Sequence, residues 1–255
     1  IQTAYYGEGL DGLLRARNQS LCGIVNGIDY NAYNPETDTT IAKQYSIKNV
    51  KKGKAANKKA LQQELGLAQD ENKFMISIIS RLTDQKGLDL VRYALDRICD
   101  ENTQFVVIGT GDPQYENLFR EYAWRMPDRV SANILFNESF AHRVYSGSDA
   151  VLVPSMFEPC GLTQLIALRY GTVPIVRETG GLKDTVAPYN EYDGTGIGFS
   201  FANYNGEELL NTINYAKHIF YDCRKEWDQM VLRGMKTDYS WVNSARKYEE
   251  LYNRL

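Results

Sequence analysis

The chain has 255 residues, 43% hydrophobic and 24% charged, enough to bury a sizeable core in one large or two modest domains. A formal net charge of −3 and a pI near 5.6 give a summed field that attracts neither nucleic acid nor an anionic membrane surface, so neither is expected as a partner. No run approaches the ~18 apolar residues of a membrane span. The four cysteines form no CxxC and there are only two histidines, which suggests neither a disulfide framework nor a metal site.

In chain order, residues 1–50 read as a lead-in segment with one short strand and an Asn/Pro/Gly loop, GIVNGIDYNAYNP. They begin at IQTAYYGEGLDGLL, without Met or a signal-peptide pattern, and are read as a fragment or processed piece. The lysine-rich stretch 46–67 reads as a solvated loop leading into a helix. From residue 73 onward, short apolar runs alternate with helical patterns: KFMISIIS, QFVVIG, ANILF, DAVLVPS, TVPIV and GFSF. These predict six strands of a parallel sheet. Between the first two, Leu88, Val91, Leu95 and Ile98 form one helical stripe, and later Leu162, Leu165 and Ile166 are expected to face inward, with Gly171 as helix stop. The tail, 206–255, predicts three amphipathic helices packed on the outside. The whole is an α/β, Rossmann-like doubly wound sheet of about six strands spanning 51–205, flanked by the lead-in and the C-terminal helices.

In such a sheet ligands bind beyond the carboxyl ends of the strands, so chemistry is sought in the loops there. After the first strand, RLTDQKG carries Arg81 and Lys86, either a grip for a diphosphate or merely solvated flanks of a loop. After the second, Gly109 and Gly111 in GTGDPQYE permit close approach to a ligand, although GxGxxG is absent and a nicotinamide fold is disfavoured. After the fourth, FEPCGLTQ places Glu158 just before Gly161, Leu162 and Thr163, whose N–H groups open a helix and form an anion site. Glu158 then either bonds a hydroxyl-rich group attached to that anion or simply caps the helix. TGGLKDTV repeats the theme with Gly180 and Gly181. Phe136 is core or a platform for a flat base. Cys160 sits where a helix start and cations would lower its pKa, yet reads better as a packed residue than a nucleophile. His142 is taken as a local hydrogen-bonding residue.

Taken together, GIVNGIDYNAYNP, SRLTDQKGLDL, VVIGTGDPQYE, FEPCGLTQLIALRYGTVPIV and TGGLKDTV resemble, in order and over nearly the whole chain, the carboxyl-terminal half of bacterial glycogen synthases. These are retaining glycosyltransferases of the two-lobed GT-B type. The resemblance implies transfer of glucose from ADP-glucose to the non-reducing end of an α-1,4-glucan, in the cytoplasm and without a metal or other cofactor. It assigns Arg81 and Lys86 to the diphosphate, Glu158 to the donor glucose, Gly161, Leu162 and Thr163 to the distal phosphate, Asn26 to the sugar, Phe136 to adenine, and Gly109 and Gly111 to the donor site. Many retaining relatives carry a second Glu eight positions after the first; Ile166 stands there, which points to the synthase branch and leaves the ribose contact unassigned. The family's amino-terminal lobe, with its KTGGL-like loop and acceptor cleft, is not in this sequence. It is therefore expected as a partner, and the isolated chain is expected to be inactive. The alternatives are a non-catalytic glucan- or nucleotide-binding module and a UDP-sugar-dependent GT-B transferase.

Overall fold

The computed structural model describes residues 1–4 and 7–254. Six strands form one sheet: β1 Phe74–Ile79, β2 Thr103–Ile108, β3 Val130–Asn133, β4 Ala150–Val153, β5 Val173–Arg177 and β6 Phe199–Phe201. Their order is β3-β2-β1-β4-β5-β6, and every pairing is parallel. Ten helices accompany them: α1 Asp11–Ala16, α2 Val50–Leu65, α3 Leu88–Ile98, α4 Pro113–Arg125, α5 Glu138–Gly147, α6 Thr163–Arg169, α7 Gly180–Thr185, α8 Gly206–Asp222, α9 Arg224–Lys236 and α10 Trp241–Tyr252. This is the doubly wound order in which connections run outward in both directions from a switch point between β1 and β4.

Strand periodicity sorts the core into layers. Phe74, Ile76 and Ile78 of β1 share an apolar cluster with Leu88, Val91, Leu95 and Ile98 of α3, and with residues of α4, α8 and α9. Met75, one residue out of phase, faces Leu61 of α2 and Val144 of α5 on the other side. Beside it, Val151, Val153 and Val176 pack on Leu165 and Ile166 of α6, together with Ile28, Ile41, Tyr45 and Val50. Each such fully buried Leu or Ile contributes roughly 1.5–3 kcal/mol. Helices α8 and α9 cover the sheet itself: Leu209, Ile213, Trp227 and Met230 belong to the same cluster as β1 and β2. By contrast, α10 buries only Ser244 among its described residues, and Leu255 lies outside those residues.

Two expectations are corrected. The third strand is Val130–Asn133 rather than 132–136. Its last ladder bond runs from Gly109 N–H to Asn133 O, where β2 ends, so Ile134, Leu135 and Phe136 continue the apolar run with no strand to pair with. Among the described residues, the first 50 contain no strand; Ile28 makes a single parallel bridge to Ser240. The lead-in is held instead by a buried polar cluster, in which Asp38 Oδ2 accepts from His142 Nδ1 at 2.8 Å and from Tyr170 OH at 2.5 Å.

The lysines after residue 50 are helical, and two of them turn inward beneath the sheet. Lys58 Nζ donates to Asp149 Oδ2 at 2.7 Å and to the carbonyls of Glu71 and Lys73. Lys54 Nζ donates to Tyr145 O at 3.1 Å, to Ser148 O and to the Thr172 hydroxyl. Asp149 also accepts from Met75 N–H at 2.8 Å, so the starts of β1, β4 and β5 are tied to α2.

Burial pushes the Lys54 ammonium down to about 7. In the unfolded chain a lysine titrates near 10.4. Between roughly pH 7 and 10 the unfolded state therefore binds more protons at this site, and the stability contributed there rises with pH. Relative to Lys54→Met, the parent chain is expected to gain stability as pH is raised across that window. Urea midpoints of both proteins test this; a constant difference between them would contradict it.

Candidate functional site

At the carboxyl ends of β1 and β4 the chain leaves the sheet in opposite directions and opens a cleft of about 70 Å³, lined by Ser80, Lys86, Glu158, Gly161, Thr163 and Gln164 among others. A larger cavity of about 800 Å³ lies at the amino-terminal ends of the strands, beside Asp149, Gly171 and the start of α2. Only the smaller cleft sits at the switch point, where strand ends and helix starts converge.

Lys86 closes a short 3₁₀ turn, Asp84–Lys86, that follows β1. The turn is anchored from α4, whose Tyr115 hydroxyl donates to Asp84 Oδ1. Lys86 Nζ reaches across the switch point and donates to Glu158 Oε2 at 2.6 Å, and Ser155 Oγ donates to the same oxygen at 3.2 Å. Glu158 is thus paired with a lysine and does not cap α6. Arg81 is exposed at the mouth, with no ion pair among the described residues.

The loop 154–162 has no regular structure and is held by its neighbours. Arg177, at the end of β5, donates Nε to Ser155 O at 3.0 Å and Nη2 to Met156 O at 2.5 Å. Met156 N–H donates to Gln85 O at 2.8 Å, which joins this loop to the one after β1. Gly181 N–H donates to Glu158 O at 3.0 Å and to Pro159 O at 3.2 Å. A Cβ at Gly180 or Gly181 would collide with the Glu158 or Cys160 backbone, so their small size serves the contact between α7 and this loop. Gly161 adopts φ +74°, a region only glycine enters readily. Thr163 begins α6 and donates its hydroxyl to Ile79 O at 3.3 Å, fastening α6 to the end of β1.

Other expected residues are placed differently. Gly109 and Gly111 lie beside the loop after β1; added Cβ atoms would strike Ser80 O and Leu82 O, and Leu82 N–H donates to Thr110 O at 2.9 Å. Their smallness serves this chain-to-chain approach. Phe136 is 91% exposed, which removes the core reading. Leu162 is 44% exposed and does not face inward. Ile166 is buried in the apolar layer beneath β4. Asn26 is exposed, and its backbone lies against the Cys160 sulfur. Burial pushes the Cys160 thiol up, overriding the expected lowering by the helix start and cations. The cleft thus brings together Lys86, Glu158, Gly161, Leu162 and Thr163, while Arg81, Asn26, Gly109, Gly111 and Phe136 lie outside its lining.

Sequence reading missed Ser155, Gln164 and Arg177. The available signal was polarity out of place: a charge directly after the buried strand TVPIV, and a Gln within the apolar run LTQLIAL. Among the described residues, no group of three or more His, Cys, Asp or Glu side chains is arranged to hold a metal ion, and no helix is long and apolar enough to cross a membrane.

Residues 58–228 match the family of glycosyl transferases group 1. The whole chain is 63% identical to a glycogen synthase of Lachnospira eligens and 59% identical to one of Lachnoclostridium phytofermentans, and covers 53% of each. Among solved structures, the catalytic domain of starch synthase IV from Arabidopsis thaliana, bound to ADP and acarbose, superposes with a TM-score of 0.92 at 35% identity. That match covers 99% of this chain and 52% of the Arabidopsis one. The chain thus spans about half the length of the curated relatives it matches.

A methyl group at Gly181 would overlap the Cys160 carbonyl and force α7 off the loop. Gly181→Ala is expected to lower stability by about 1–3 kcal/mol, read as a lower urea midpoint. Gly12→Ala in the exposed α1 meets open space and is expected to be neutral or stabilising. Equal midpoints for Gly181→Ala and the parent would show that the contact is not tight.

Proposed function

The chain belongs to the group 1 glycosyl transferases, and from that premise we propose that it is the donor-binding half of a glycogen synthase. It binds ADP-glucose, and the complete protein transfers the glucose to the non-reducing end of an α-1,4-glucan with retention of configuration. The observation that carries this reading is the meeting of Lys86 and Glu158, from two strand ends, at the switch point of the sheet. The identity to glycogen synthases over all 255 residues and the likeness to a starch synthase domain bound to ADP and acarbose support the choice of donor and acceptor.

A donor carrying both a diphosphate and a sugar can part this pair to the benefit of each member. Lys86 turns to the diphosphate, with Arg81 at the mouth and the N–H groups of Gly161, Leu162 and Thr163 on the distal phosphate. Glu158, released from its lysine, accepts hydrogen bonds from glucose hydroxyls near the reacting carbon. In the transfer, the bond from C1 of glucose to the phosphate oxygen breaks and ADP leaves with the electron pair. The acceptor's 4-hydroxyl oxygen bonds to C1 on the face that ADP vacates, and its proton passes to the departing phosphate. Fixed cations and N–H dipoles stabilise the charge that grows on the phosphate; one such preorganised donor is typically worth about 10²-fold or more in rate. In the complete protein the acceptor cleft and the closure that excludes water come from the part outside these 255 residues.

Calorimetric titration of this chain with ADP, UDP and ADP-glucose tests the reading. ADP is expected to bind more tightly than UDP, and Lys86→Ala to weaken both by about tenfold or more through loss of a charge-assisted contact. Glu158→Ala is expected to weaken ADP-glucose more than ADP. Equal effects of Glu158→Ala on both ligands would remove Glu158 from the sugar site.

A further inference from the structure

Gln164 sits in the first turn of α6 and is completely buried, although its neighbours there are apolar. Its Nε2 donates to Cys160 O at 3.0 Å, to Gly161 O at 2.8 Å and to the Thr185 hydroxyl of α7 at 3.1 Å. Two amide hydrogens serve three acceptors, so one of them is shared. Oε1 is buried with no partner, and lies 2.6 Å from where a Cβ at Gly161 would stand. The Gln164 amide therefore occupies the space that any side chain at residue 161 would need.

With the two bonds from Gly181 N–H, four successive carbonyls, from Glu158 to Gly161, are drawn toward α6 and α7. In a planar trans peptide the carbonyl and the following N–H point in opposite directions. The described chain contains no cis bond. Pinning the carbonyls of Cys160 and Gly161 thus turns the N–H groups of Gly161 and Leu162 to the opposite side. Neither N–H has an acceptor among the described residues, and both residues line the cleft with Lys86 and Glu158.

We propose that Gln164 is a positioning residue for the reaction: its amide fixes two consecutive peptide units so that their N–H groups address the distal phosphate of the donor. Its contact with Thr185 also ties the loop to α7, so that the two structures around the phosphate move as one. The proposal rests on the reading of the cleft as a nucleoside-diphosphate site, since it is the second phosphate that the two N–H groups serve.

The test compares ADP with AMP, which lacks the distal phosphate, on the parent chain and on Gln164→Met, which keeps the length of the side chain but has no donor. ADP is measured by calorimetry and AMP by competition against it. Gln164→Met is expected to weaken ADP about tenfold, as two charge-assisted bonds are misaimed, and to leave AMP within about twofold. In the complete enzyme, kcat/KM for ADP-glucose falls by about 10²-fold while KM for glucan is unchanged. Equal losses for ADP and AMP, or no loss for either, would overturn the role of Gln164, because a general loosening of the fold does not single out one phosphate. A parent chain that binds ADP no better than AMP would instead overturn the diphosphate reading. If Gln164→Met fails to fold, Gln164→Leu, apolar and without a donor, takes its place in the same comparison.

Discussion

The contact between β1 and β4 is the constraint on which the rest of the structure depends, and it is short. Only Ile76↔Ala150 and Ser77↔Val151 pair across it, against six pairs between β1 and β2. It is also where the sheet changes winding direction, so no crossover helix joins the two strands directly. The junction is closed at both ends by side chains. Below, Asp149 accepts from Met75 N–H and from Lys58. Above, Thr163 donates to Ile79 O and Lys86 to Glu158. Together with the bond from Met156 N–H to Gln85 O, these ties hold the loops after the two strands at a common distance.

What those loops present is mostly backbone. The segment after β4 has its carbonyls taken by α6, α7 and Arg177, and its free N–H groups face the cleft. Such donors need no reorganisation when charge arrives, which is the physical basis of electrostatic preorganisation. They also cannot be deleted by changing the side chains that carry them. Loss of these donors has to come through residues that hold the backbone in place, such as Gly181, Gln164 and Arg177.

The sheet was largely legible because strands of a parallel sheet are buried on both faces and read as continuous apolar runs. The same property misled at Ile134–Phe136, where the run continues but its neighbour β2 has ended. The helical stripe of α3 was legible because periodicity is local. Lys54 and Lys58 were not, because what permits a lysine to be buried is a set of acceptors supplied by residues 13 to 118 positions away. Glycine pairs announced close approach, yet composition does not tell what approaches. At 109–111 and 180–181 it is another stretch of backbone. The grouping of Lys86, Glu158 and 161–163 was legible because each follows a strand end, and strand ends converge in this topology. Their pairing was not, since it joins two loops far apart in sequence.

The Lys86–Glu158 pair has a further consequence. Because the lysine keeps a carboxylate beside it, the cleft carries its own tethered counterion, and an arriving anion would exchange with that group rather than with salt from solution. Affinity then depends less on ionic strength than it would for two bare cations. The exchange is also selective. A free phosphate ion that captures Lys86 strands Glu158, which is nearly buried, with only the Ser155 hydroxyl as partner. A ligand with hydroxyl groups attached to its phosphate would replace both halves of the bond it breaks.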